Sequence, residues 1–157
     1  MRTADLRLLY EYSYDRNMKL LDKAENLTGE QFSGDPPFGE DSVKQLFFHI
    51  ARAENGWRSA WKTGERQPPI EPADYPDLPA LRALFDQTSS ETLGYIDSLS
   101  DADLDGDFNG VPLWQTMAHV FNHGTQHRAE IAMLLTHFGH SPGDVDLAFF
   151  VFERAGE

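Results

Sequence analysis

The chain of 157 residues contains no cysteine. This excludes a disulfide framework, a thiolate metal site and a cysteine nucleophile, so any bound metal must be held by His, Asp or Glu. No apolar run reaches the roughly 18 residues that a membrane-spanning helix needs. The opening MRTADLRLLYEYSYDR mixes charges through its length and lacks the apolar stretch and small-residue cleavage site of a signal peptide, so a cytoplasmic location is expected. Basic residues are scarce, 13 against 26 acidic, and the formal net charge is -13. They are also scattered, and a surface of that sign repels phosphate backbones, so neither nucleic acid nor a membrane is an expected partner.

Missing motifs narrow the chemistry further. There is no glycine-rich phosphate loop and no G-x-S-x-G elbow. The Glu-x-x-His pairs of ferritin-like di-iron proteins are absent. A zincin needs Glu directly after the first histidine of its pair, and Gly124 follows His123.

What is present is helical. A 40% hydrophobic chain of this length fits one compact domain over residues 1–157. Four segments space their apolar residues as helices: about Thr3 to Asn26, Ser42 to Thr63, Leu78 to Leu99 and Pro112 to Phe138. Pro79 suits a first helical turn, and Gly139 suits a C-terminal cap. Each segment has 20 residues or more and would be roughly 30 Å long or longer, so an all-α four-helix bundle is expected. The connection GERQPPIEPADYPD, with four prolines, could extend to roughly 45 Å, enough to run the bundle from end to end. The other two connections are nearly as long, so loop length permits crossover topologies without selecting one. The tail holds DVDLAFFVFE, a short apolar element with Asp144 and Asp146 as possible caps, expected to pack back onto the bundle.

The fourth segment carries FNHGTQHRAEI, with His119 one turn before it. Residues four apart on a helix differ by about 40°, so His127 lies at about +40° and His119 at about -40° from His123. Val120, Ile131, Met117 and Leu135 fall between about +60° and +120° on that wheel, which places His123 and His127 at the edge of the buried stripe and turns His119 away. His49 has the same edge position on the second helix. Two core-edge histidines on one helix and one on another have the geometry of a three-histidine metal site, and neutral imidazole suits zinc, nickel, copper or ferrous iron. His137 and His140 flank the end of the fourth helix, where a structural role is expected. Glu130, one turn beyond His127, could hydrogen-bond a histidine ring or read as a solvated acid. Glu54 and Arg128 sit at facing stripe margins and are expected to form a structural ion pair. Asn17 on the first helix could cap the cavity or bind a partner backbone, while Trp57, Trp61, Trp114 and the Phe149, Phe150, Phe152 run read as core or dimer surface.

FHIARAENGW (Phe48 to Trp57) followed by LWQTMAHVFNHGTQHRAEI (Leu113 to Ile131) resembles the DinB/YfiT-like superfamily of metal-binding four-helix bundles. YSYDRNMKLL, LTGEQF and DVDLAFFVFE extend the likeness over nearly the whole chain. The resemblance implies His49, His123 and His127 as ligands of one divalent ion (zinc, nickel or iron) and His119 as a non-ligand. It also implies a long second connection that crosses the bundle, and a homodimer. Gln126 departs from the pattern, since many members carry a histidine there. Characterised members include metal-dependent transferases and isomerases using low-molecular-weight thiols. The expectation is therefore a transferase or related enzyme acting with such a thiol on a small electrophile, with a non-catalytic metal-binding stress-response dimer as the alternative.

Overall fold

The structure, a computed structural model, describes residues 1–156; Glu157, the last residue of the expected 1–157 domain, lies outside the described residues. End signals in the sequence decide where each long helix starts and stops. Helix α1 (Thr3–Ala24) begins where Asp5 turns back onto the Arg2 backbone at 3.0 Å. Five residues, Gly29–Ser33, form a short α2 behind the reciprocal Thr28 and Gln31 cap. Helix α3 (Val43–Thr63) opens with the same device: the Gln45 amide donates to Ser42 Oγ at 3.3 Å, and Gln45 Oε1 accepts from the Ser42 amide at 2.8 Å. It stops at Gly64, whose φ of +79° needs a residue without a Cβ.

A 3-10 turn, Pro72–Asp74, precedes α4 (Leu78–Asp97), which Asp77 caps and Pro79 starts. A four-residue α5 (Asp101–Leu104) and a hairpin of two short strands, β1 (Asp107–Phe108) and β2 (Val111–Pro112), lead into α6 (Leu113–His137). The hairpin turns on Asn109 and Gly110, both at positive φ, the Asn-Gly signature of a tight turn. Gly139 at φ +86° closes α6 with bonds from the Gly139 amide to Thr136 and from the His140 amide to Leu135. The four long helices thus begin and end within two residues of the sequence expectation.

Side-chain pairs fix their directions. Arg7 pairs with Asp97 and Arg82 with Asp22, so α1 and α4 are antiparallel. Phe47 meets Phe85 and Trp61 stacks on Tyr95, so α3 and α4 run parallel. The Trp61 indole donates to Thr116 Oγ1 while His49 faces His127, so α3 and α6 are antiparallel. Tyr10 donates to the Met117 carbonyl and Arg128 to Ser13, so α1 and α6 are parallel. The four close into a ring in the order α1, α4, α3, α6, an up-down-down-up bundle. Residues 64–77 link the two parallel neighbours and therefore run from one end of the bundle to the other, the path their length allows.

The interior has three layers. Leu20, Leu21, Phe47, Phe85, Ile131 and Leu135 fill one end, and Leu6, Tyr10, Ile96, Leu104, Met117 and Val120 the other. Between them all four helices contribute buried polar groups: Ser13 and Asn17, Glu54 and Arg58, Thr88 and Thr92, and Arg128. The tail forms α7 (Leu147–Ala155), capped by Asp146 at the Phe149 amide, while Asp144 caps nothing and only lends its carbonyl to Lys19. The tail packs back through Phe150 on Tyr12 and Glu153 on Arg16, yet none of its residues is buried, and Phe149 and Phe152 stay exposed. No helix among the described residues is long and apolar enough to cross a membrane.

Candidate metal centre

His49 leaves α3 one turn after its apolar first turns, and His123 and His127 leave α6 one turn apart; the antiparallel contact of the two helices brings all three rings together. The Nε2 atoms of His49 and His123 lie 3.0 Å apart and those of His127 and His123 3.2 Å apart. All three ligand atoms fall within 4.8 Å of one another. The two α6 histidines that the helical wheel places at the edge of the buried stripe, and the α3 histidine, are thus the three that the fold brings together.

His119 stays outside the group. It is exposed, and its ring meets Trp57 edge-on at 5.7 Å between centroids.

Protons alone do not satisfy this cluster. His127 Nδ1 lies 2.8 Å from Glu130 Oε2, so the ring donates there and its Nε2 presents a lone pair to the centre. His123 Nε2 faces both neighbours, and a single N–H on it cannot serve the two. A cation takes lone pairs from all three rings at once. Metal–nitrogen bonds of about 2.1 Å in tetrahedral or octahedral arrangement place neighbouring nitrogens roughly 3.0–3.4 Å apart, which matches the two Nε2 spacings around His123. The His49 and His123 rings are also biased toward the neutral form that binds metal. Burial first, and then the charges of His127 and His49, push the His123 pKa down to about 4. Burial and the His127 charge lower that of His49 as well. A three-histidine group that can hold a metal ion is thus a property of the fold.

His49 and His123 line a cleft of about 860 Å³ together with Trp57, Pro68 and Pro69. Trp57, expected in the core or at a dimer surface, is half-buried: it packs against the core at one end of the bundle and also lines this cleft. Trp61 does belong to the core.

Two further expectations need correction. Glu54 and Arg128 are both buried but form no direct ion pair. Arg128 donates to Ser13 Oγ at 2.6 Å and Thr125 Oγ1 at 2.7 Å. Burial raises the Glu54 carboxyl, with Thr92 and the neighbouring guanidinium groups pulling it back down. Arg128 is not marginal either, because the polar layer puts it in the bundle's interior, 1% exposed. Asn17 lies in that same layer, on α1, and does not line the cleft. The residues that sequence reasoning left out are in the second connection. Arg66 and the two prolines reach the cleft along a segment with no periodicity, and only their chemistry could have marked them.

A family model described as the DinB family matches residues 1–155. Comparison with curated proteins finds no match.

Proposed function

We propose, since the chain belongs to the DinB family, that it is a divalent-metal-dependent transferase or related enzyme of the cytoplasm that uses a low-molecular-weight thiol and a small electrophile. One observation carries this reading: three ring nitrogens converge beside an open cleft that His49 and His123 line, and no fourth acidic or imidazole ligand joins them among the described residues. Structural sites close with four protein ligands, whereas catalytic ones keep a position for solvent or substrate. A divalent ion held there supplies Lewis acidity, which lowers the pKa of a thiol or water and polarises an electrophile's oxygen.

The chain's own residues do the rest. His49, His123 and His127 present their Nε2 lone pairs, and Glu130 holds the Nδ1 proton of His127 so that this ring cannot turn away. The cleft admits both reactants from one side. In the transfer the thiol loses its proton to solvent, its sulfur bonds the electrophilic carbon, and the bond from that carbon to the leaving group breaks, the leaving group departing with the electron pair. A homodimer is part of the reading, supported by the exposed apolar side chains Phe149 and Phe152 on α7. The alternative, a metal-binding dimer without catalysis, is favoured by the lining of the cleft, where His119 is the one acid–base group outside the three-histidine set.

Metal analysis of purified variants tests the centre. Wild type and His119→Ala should carry about one ion per chain, His49→Ala, His123→Ala and His127→Ala almost none, and Glu130→Ala should bind roughly tenfold to a hundredfold more weakly. Full metal retention by His123→Ala overturns the site. Thiol–electrophile conjugation that His123→Ala abolishes supports the enzyme; metal loading without any such turnover across a panel of thiols supports the alternative.

A further inference from the structure

We propose that the cleft beside the three histidines is a subsite for a small organic oxyanion with a flat apolar body, gripped by Arg52 and Arg66 and laid against Trp57. The inference rests on the metal-enzyme reading for the ligand's purpose, and on the arginines alone for its charge.

The chain has nine arginines and a large excess of acids. Arg2, Arg7, Arg16, Arg58, Arg82 and Arg154 each pair with a carboxylate, and buried Arg128 donates to two hydroxyls. Arg52 and Arg66 do neither among the described residues, and both line the same cleft of about 860 Å³. Arg52 stands on α3, three residues after His49, so the helix carries it on the same face as a group that can hold metal. Arg66 arrives from the connection that runs the length of the bundle. On so acidic a surface, a guanidinium without a carboxylate is the exception. Two of them in one cavity repel each other until an anion enters, and each offers the forked donor set that matches carboxylate or phosphate.

The remainder of the lining defines the ligand's body. The Arg66 guanidinium lies 4.5 Å from the centre of the Trp57 ring, a stacked position that fixes the fork while leaving its in-plane N–H groups free. Pro68 and Pro69 supply flat apolar walls, and His119 meets the Trp57 ring edge-on at 5.7 Å between centroids. The volume lies within the roughly 300–1,000 Å³ of small-ligand sites. His49 and His123 line the same cleft, within reach of a ligand held by the two arginines.

The test uses the full chain as purified, with metal content measured on every sample, and follows tryptophan fluorescence and calorimetry with benzoate as probe. Benzamide serves as its neutral counterpart and inorganic phosphate as an anion without an apolar body. Benzoate should bind about tenfold or more tightly than benzamide, a preference that Arg52→Met and Arg66→Met each reduce and the double variant abolishes, with metal content unchanged. Equal binding of benzoate and benzamide, or a preference that both arginine variants keep, overturns the subsite. Inorganic phosphate binding as tightly as benzoate overturns the apolar half of the proposal. If His123→Ala removes metal and the benzoate preference together while the arginine variants keep both, the anion was held at the metal and the subsite falls with the metal reading intact. If wild type carries no metal and the arginine-dependent preference persists, the metal reading falls and the subsite stands.

Discussion

At the scale of single residues, His123 is the most constrained group of the centre. It touches both other rings, and its pKa is lowered to about 4 against 6.5 for a free histidine, chiefly by burial. In the metal-free protein the unfolded chain therefore binds a proton at this position between about pH 6.5 and 4 while the native state does not, so stability rises with pH across that window and falls as pH drops through it. Above about pH 6.5 both states are neutral there and the dependence vanishes. Nuclear magnetic resonance of the His123 C2 proton in chelator-treated protein should give a midpoint near 4, and His123→Gln should flatten the fall of Tm between about pH 6.5 and 4. A midpoint at the ordinary histidine value would mean that the ring is solvated and the cluster open. Glu130 shows how far a single residue could be read in advance: its position one turn beyond His127 suggested the bond, but only the structure distinguishes that bond from a solvated acid.

At the scale of the elements, the long helices were legible because their end signals are local. Ser42 with Gln45, Asp77 with Pro79, and Gly139 act within four residues of the boundary they set, whatever the rest of the chain does. The histidine pair was legible for the same reason, since the wheel needs only helix geometry. Arg128 was misplaced because the buried stripe was drawn from apolar residues alone, and the polar layer that occupies the middle of the bundle cannot be told from a solvent-facing margin before the helices are packed. Arg66 was missed because an aperiodic connection gives no face to assign.

The polar layer makes a prediction about α6. Gly124 sits in mid-helix, where glycine costs roughly 1 kcal/mol relative to alanine. A Cβ there would come within 3.0 Å of Arg128 Nη1, which is held at Ser13 and buried. Displacing a charged hydrogen bond in that setting costs roughly 1.5–3 kcal/mol, more than the propensity gain, so Gly124→Ala should destabilise the protein. Gly94 on α4 has open space around its Cβ position, and Gly94→Ala should stabilise by roughly 0.5–1 kcal/mol. Urea unfolding of both variants checks the pair; a stabilised Gly124→Ala would show that Arg128 yields freely.

For the whole molecule, the centre is also a clamp between distant parts of the chain. His49 and His123 are 74 residues apart, and no preformed site exists until α3 and α6 pack. Metal affinity is consequently folding free energy. At free metal about 100 times Kd the native state gains about 2.7 kcal/mol, and for a chain of this size each kcal/mol moves Tm by roughly 2–4 °C, so removal of metal should lower Tm by roughly 5–10 °C. A chain with a net charge of -13 attracts any divalent cation weakly, so a shift alone does not locate the ion. Two controls do. Magnesium, which takes oxygen ligands, should leave Tm unchanged where zinc or nickel raises it. His123→Ala should lose the response to metal and chelator while His119→Ala keeps it. Equal shifts with magnesium and zinc, or an undiminished response in His123→Ala, would assign the stabilisation to diffuse counter-ion binding rather than to the three histidines.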